Sequence, residues 1–319
     1  MVRSAQFLAV EPIAFSPIYM TRVWGGRSLD TIYQRNLPDN QPYGESWEIS
    51  DRPNEQSIVS SGVHVGKSLH DLWTNHREEI FGKGLTGDRF PLLIKILDAR
   101  DDLSIQVHPP AEIAGELGGD PKTEMWYIAD CDPGAKLYIG LKNGSTRESF
   151  EQSLLDGTVE KQVHAVRPKA GESIFIPSGR LHAIGAGFLI YEIQQNSDTT
   201  YRVFDWNRVG LDGTPRDLHV EESMTSINFD DFEPRMDEPD GDTLASCKYF
   251  VVERHRVSKS GKIANSNDSF SIITVVSGEL RSNNGDIFKT GDFLILPRNS
   301  TPLTAETDCQ ILRTGLPGN

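Results

Sequence analysis

One short string occurs twice in this chain and fixes the kind of fold available to it. Gly171-Glu-Ser-Ile-Phe-Ile-Pro177 returns as Gly291-Asp-Phe-Leu-Ile-Leu-Pro297, each copy behind a basic, turn-forming lead-in (Arg167-Pro-Lys-Ala and Phe288-Lys-Thr). Two copies of one β-unit imply two barrels in tandem. The surrounding sequence agrees. Apolar or alternating runs at 91–97, 125–128, 136–139, 173–176 and 188–191 are punctuated by Gly, Pro, Asp and Asn, the spacing of an all-β sandwich or barrel. Helices are few and read as insertions. Residues 68–80 open with a capping-type Ser68 and place Leu69, Leu72, Trp73, His76 and Ile80 on one face. Ser145-Thr-Arg-Glu148 reads as a capping box for a helix stopped by Gly157, and a third short helix is expected at 111–117.

The two copies differ where chemistry would sit. The offset of His182 in the first copy falls on Pro302 in the second, and 269–278 offers only Ser and Thr as side-chain ligands. The second barrel is therefore expected to be metal-free and structural. An acidic, Pro-broken stretch at 228–241 reads as a linker. The expected division is a catalytic domain at 1–227, the linker at 228–241 and a small C-terminal barrel at 242–319.

In the first copy the polar residues form a ligand inventory. Gln106 and His108 are two apart on a strand, so both side chains leave the same face, and Pro109-Pro110 ends that strand. Glu124 opens the next strand, and His182 follows a Pro-x-Gly turn. Two imidazoles, a carboxylate and an amide on apolar strands are the donors of a divalent metal held in a barrel; Zn, Co and Mn all accept them.

Formal net charge is −14, and no Lys/Arg stripe tracks phosphates, so no nucleic-acid partner is expected. The longest apolar run near the N-terminus is only 7–10, giving no signal peptide or membrane span. Three cysteines, Cys131, Cys247 and Cys309, form no C-x-x-C pair, which suits a reducing, cytoplasmic setting. Oligomeric state is left open.

The string G-x5-P-x-G-x2-H resembles the second cupin motif. With Gln106-Val-His108-Pro, Lys122-Thr-Glu124 and Glu192-Ile-Gln-Gln-Asn-Ser-Asp-Thr-Thr-Tyr-Arg202 it resembles the mannose-6-phosphate isomerase family, from Val23-Trp-Gly-Gly26 through Gly44-Glu-Ser-Trp-Glu48 to about Glu222. That resemblance implies tandem cupin (jelly-roll) barrels. It also implies zinc on Gln106, His108, Glu124 and His182, and a pocket containing Lys122, Glu192 and Arg202. Aldose–ketose interconversion of sugar phosphates needs a proton carrier, an oxyanion partner and a phosphate grip. Arg202 suits the phosphate or enediolate, Ser104 can donate a hydroxyl to the phosphate, and Lys122 and Glu192 are candidates for proton transfer. The alternatives are a non-catalytic sugar-phosphate-binding cupin, or a cupin isomerase or epimerase acting on another sugar. For Arg202 and Glu192 the structural alternative is an ion pair with each other. His64, His164 and His255 read as solvated, His70 and His76 as surface or packing residues, and His219 as a non-ligand. Lys95, inside an apolar strand, faces either the pocket or an edge.

Overall fold

The structure, a computed structural model, describes residues 10–265 and 268–318; most of the apolar run at 7–10 lies outside them. The chain is all-β with few helices, and its packing divides it into two units. The first comprises 1–16, 49–91 and 239–319; the second comprises 17–48 and 92–238. The division is discontinuous, which a linear partition at 227–242 does not express. Its cause is strand pairing. Ile13–Ser16 pairs antiparallel with Phe293–Leu296 and with Ile58–Val59, so N-terminal strands complete the sheet of the C-terminal barrel. Trp73, Phe81, Phe90 and Phe270 add an aromatic cluster to that same unit, with ring centroids 5.1–5.7 Å apart.

The 17–48/92–238 unit packs a six-stranded sheet (Ser173–Ile176, Glu124–Cys131, Phe188–Gln195, Leu92–Ala99, Ile18–Gly26, Tyr43–Ile49) with a five-stranded one (Tyr201–Phe204, Ile105–Val107, His182–Ile184, Leu137–Leu141, Val163–Val166). Leu97, Trp126, Ile128, Ile139, Ile174, Ile176, Ile184 and Ile190, all buried, form one core cluster. The other unit repeats the plan. Phe293–Leu296, Ser271–Ser277, Cys309–Gly315, Val251–Val257 and Thr243–Ser246 run in the order of their counterparts, with a four-stranded sheet of Lys262–Ile263, Leu303–Ala305, Glu279–Arg281 and Ile287–Lys289.

The duplicated string is the same object in both. Gly171 and Gly291 have φ of 89° and 88°, the left-handed region that favours glycine. Gly171 donates to Ile128 O at 2.8 Å and Gly291 to Val275 O at 2.9 Å. The acid after each glycine accepts from a lysine amide, Lys169 onto Glu172 and Lys289 onto Asp292.

Local expectations shift in four places. The helix at 68–80 breaks at His76 (φ −128°) into Leu69–Asn75, capped by Ser68, and Arg77–Ile80. The capping box belongs to Thr146 and Ser149, one residue on from the expected pair, for the helix Arg147–Leu155. The third helix is the single turn Ala111–Ala114. Residues 228–238 are packed rather than free: Asp231 makes a two-pronged ion pair with Arg180 at 2.8 and 2.9 Å, and Asp237 donates its amide to Ser173 O at 3.0 Å. No helix among the described residues is long and apolar enough to cross a membrane.

Candidate metal centre and substrate pocket

Two rows of residues face a cavity of about 460 Å³ within the 17–48/92–238 unit. On the five-stranded sheet Gln106 is the register partner of both Arg202 and His182, so Arg202, Gln106 and His182 lie side by side. On the six-stranded sheet Glu192 is flanked in register by Lys95 and Trp126, and Glu124 pairs with Gln194 one rung along. Ser104 and Lys122 also line the cavity, so the structure brings together Ser104, Gln106, Lys122, His182, Glu192 and Arg202. Gly44 makes room at one wall, since a Cβ there would lie 2.6 Å from Arg22 Cβ and from Trp24 Cζ3. The glycine of the Gly-Glu segment noted in the sequence thus leaves room for Arg22 and Trp24 at the pocket wall.

His108, Glu124 and His182 are fully buried, with donor atoms that all lie within 4.8 Å of one another. His108 Nδ1 lies 2.8 Å from Thr199 O, and His182 Nδ1 lies 2.8 Å from Arg180 O. Each Nδ1–H therefore donates to a carbonyl, which fixes the tautomer and turns the lone pair of Nε2 towards Glu124, at 3.5 and 3.6 Å. Two lone pairs aimed at a carboxylate repel it unless a cation sits between them. His108 Nε2 and both Glu124 oxygens have no hydrogen-bond partner among the described residues. Lys122 Nζ is 2.8 Å from Glu124 Oε2 without hydrogen-bond alignment, so its contact there is ionic.

The protonation states suit a metal. Burial, reinforced by Lys122, pushes the His108 imidazole down to about 3, and burial lowers His182, so both rings are neutral ligands near neutral pH. Burial alone would raise Glu124, but Lys122 and His108 hold it well below the usual carboxylate range. The residues present fit a divalent cation. Gln106 is placed beside them, its amide nitrogen 3.3 Å from His182 Nε2 and its oxygen accepting from Ser104 Oγ at 3.2 Å. The amide therefore presents nitrogen, not oxygen, to the cluster.

From the metal cluster outward, charges alternate. Glu124 is followed by Lys122, then Glu192 at 3.8 Å, Lys95 at 3.9 Å, Glu45 at 3.6 Å and Arg22 at 3.0 Å. Lys95 is buried in the pocket, over the Trp47 ring at 4.6 Å and 3.4 Å from Asp198. That settles its two possible placements. Burial and the Glu124 charge push Glu192 up to about 7, against the pull of Lys122 and Lys95. Its other oxygen accepts from Trp126 Nε1 at 3.0 Å. Burial opposes ionisation of Glu45, yet Lys95 and Arg22 hold it down to about 2.

Glu192 thus pairs with two lysines and not with Arg202, contrary to the structural alternative raised by the sequence. The Arg202 side chain has no ion pair or hydrogen bond among the described residues; burial and the nearby Arg216 lower its pKa. Its backbone amide donates to His219 Nδ1 at 3.3 Å, which places His219 in the pocket wall as a supporting residue. His64 is not solvated: its ring packs 5.0 Å from His76 and its Nδ1 is buried.

Arg22, Glu45, Asp198 and Arg216 line the pocket and were missed in the sequence. Glu45 carried a usable signal, an acid alternating with Trp47 in the segment 44–48; Arg216 carried none. Arg216 reaches the pocket from a loop tied down by Asp205, which also holds Arg208.

Comparison with known proteins places this arrangement. A sequence model of the phosphomannose isomerase type I catalytic domain matches residues 13–130. The mannose-6-phosphate isomerase ManA of Bacillus subtilis is 39% identical over 305 residues, covering 91% of this chain and 94% of that protein. A crystal structure of the mannose 6-phosphate isomerase from Bacillus subtilis superposes with a TM-score of 0.87 at 33% identity, covering 96% of this chain and all of that one. A mannose 6-phosphate isomerase bound with zinc and yttrium shares the fold, with a TM-score of 0.75 at 18% identity over 97% of this chain and 100% of that one. Identity at that level over nearly the whole of both chains settles the matter: this protein belongs to the type I phosphomannose isomerase family.

Proposed function

We propose that this chain is a zinc-dependent isomerase that interconverts mannose 6-phosphate and fructose 6-phosphate. The observation that carries it is the placement of an unsatisfied His108–Glu124–His182 cluster at a pocket, reached through His182, whose wall also holds a carboxyl poised near neutrality, Glu192. Zinc would be held by His108, Glu124 and His182, with Gln106 as fourth ligand once its amide is turned; Co and Mn suit the same donors. When bound, zinc supplies a Lewis acid for the C1/C2 oxygens.

The protein's own groups do the rest. Glu192, with its pKa near the working pH, can both take and return the proton that moves between C2 and C1. Lys122, 3.8 Å away, balances the charge on Glu192 as it ionises. Arg202 offers an unengaged guanidinium to the phosphate or to the enediolate, and Ser104 a hydroxyl. Catalytic roles thus fall to Glu192, Lys122 and Arg202, and substrate binding to Ser104, Arg202 and Lys122. The net charge of −14 argues against a nucleic-acid partner, and a small anionic sugar is met instead by the local cations Lys122 and Arg202; a cytoplasmic setting with no membrane partner completes the reading.

The test is a coupled assay of fructose 6-phosphate formation. It compares protein as purified, after EDTA and after zinc readdition, with His182→Ala alongside. Activity lost to chelation, restored by zinc and absent in the variant is the expected result. Full zinc with no turnover of mannose 6-phosphate would sink the isomerase reading.

A further inference from the structure

The second barrel has kept the pocket of the first while exchanging its contents. Strand registers give the equivalences directly. Glu192 pairs with Lys95 and Trp126 in the first unit; Arg313 pairs with Glu253 and Ile273 in the second. His182 pairs with Gln106, and Leu303 with Ile263. Ile176 pairs with Glu124, and Leu296 with Ser271. The positions of His182 and Gln106 are thus filled by Leu303 and Ile263, both buried in the core cluster, and that of Glu124 by Ser271, so this floor offers no metal donors.

The mouth was not closed in the same way. Glu253 stands where Lys95 does, Arg313 where Glu192 does, and His255 where the core residue Leu97 does. The signs at these two register positions are exchanged, but Glu253 is partly exposed and forms no ion pair with Arg313 among the described residues. A cavity of about 560 Å³ remains there, lined by Glu253, His255, Ile263, Ile311 and Arg313, with Arg256 and Lys262 at its edge.

The charges are unevenly satisfied. Among the described residues the only carboxylate lining the cavity, Glu253, is engaged by His255 Nε2 at 3.1 Å, and Asp242 flanks His255 Nδ1 at 3.4 Å. The Arg313 guanidinium rests on neutral acceptors, Asn265 Oδ1 and Ala264 O, both at 3.0 Å. Arg256 and Lys262 have no carboxylate partner among the described residues. Three cations therefore meet one already-occupied acid, in a chain that is acidic overall.

We infer that the mouth of the second barrel is a binding site for a small oxyanion, seated on Arg313 and rimmed by Arg256 and Lys262. A guanidinium held by two carbonyl-type acceptors keeps its remaining N–H donors aimed and available for phosphate or carboxylate oxygens. The site is separate from the zinc cluster, which draws all its residues from the other unit.

The test is site-resolved NMR on the full zinc-loaded chain, following the His255 imidazole and the Arg313 side-chain Nε–Hε signal. Inorganic phosphate and succinate are added in separate titrations, the two arms distinguishing a phosphate from a carboxylate ligand. A saturable shift of both signals is expected, with affinity lowered by about tenfold in Arg313→Gln and by a smaller factor in Lys262→Glu. Isomerase kcat/KM should stay within about twofold in both variants, because neither residue touches the first pocket. Lys262 is exposed, so Lys262→Glu folds even if Arg313→Gln does not. Shifts that never saturate, or equal affinity in wild type and Lys262→Glu, would overturn the assignment.

Discussion

Replacing Lys122 with Met tests the alternating charge row most directly, because it removes one cation from between two buried acids and leaves volume nearly unchanged. Lys122 Nζ lies 3.8 Å from Glu192 Oε1, and both side chains are about 5% exposed. At an effective dielectric of 20, opposite charges at that distance attract by about 4 kcal/mol, equivalent to roughly 3 pH units for the Glu192 proton. Lys95, 3.9 Å from the same oxygen, remains and limits the rise. Glu192 begins at about 7 because burial and the Glu124 charge disfavour its ionised form. Losing Lys122 disfavours that form further, so the base is charged only at higher pH. The acid limb of the kcat/KM profile is therefore expected to move up by about 1–3 pH units. At about pH 7.5 that is a loss of about 3-fold for one pH unit and about 200-fold for three, recovered progressively at alkaline pH. Zinc content is measured on the same samples, since Lys122 also contacts Glu124 at 2.8 Å. Lys122→Arg, which keeps the charge, should hold the limb near its original position. A Lys122→Met enzyme with full zinc, low activity and an unmoved acid limb would refute the electrostatic reasoning.

Trp126→Phe removes the 3.0 Å N–H donor to Glu192 Oε2 and leaves a smaller aromatic ring in its place; with a charged acceptor losing about 1.5 kcal/mol or more, the same limb should rise by about one pH unit while zinc stays bound. An unchanged profile would show that this bond does not favour the ionised form. Glu45 is held at about 2 against an ordinary 4.5, so it stabilises the fold above pH 4.5 and loses that contribution as pH falls from 4.5 towards 2. By linkage this is about 3 kcal/mol, read from urea midpoints across that window, and Glu45→Gln should flatten the corresponding part of the curve. Gly44→Ala would place a methyl 2.6 Å from Arg22 Cβ and Trp24 Cζ3. Overpacking of that kind costs about 1–3 kcal/mol, so both thermal midpoint and kcat/KM should fall; a variant matching wild type in both would mean the wall yields freely.

The candidate metal cluster was legible because its potential donors sit in local patterns. A Pro-x-Gly turn before His182, an i, i+2 pair at Gln106 and His108 and an acid opening a strand are patterns within single segments. The rest of the pocket is assembled across strands distant in sequence, where no local pattern records the partner. Lys95 looks anomalous in an apolar strand until Glu45, Glu192 and Asp198 arrive from three other segments. The loop carrying Arg216 is set by Asp205 through two guanidinium contacts, and a sequence shows only that acids and arginines are present. The stretch at 228–241 has the composition of a linker, yet its Asp231 braces Arg180, whose carbonyl accepts from His182 Nδ1. Acidity there serves a ligand's second contact as well as solubility. The helix at 68–80 carries one unbroken apolar stripe, and only its tertiary packing reveals the break at His76.

The pairing of Ile13–Ser16 with Phe293–Leu296 also dictates an order of events during synthesis. At 5–20 residues per second the earlier strand leaves the ribosome roughly 15–55 s before its partner exists. In that interval the segment from 17 to 238 can finish its own sheets, because every strand they need has been made. The opening strand has only Ile58–Val59 to pair with, and the aromatic cluster at Trp73 only Phe81 and Phe90, until Phe270 and Phe293–Leu296 are made. The half that would carry zinc is thus ready first, and the nascent chain's exposure to misassembly is concentrated in its earliest residues.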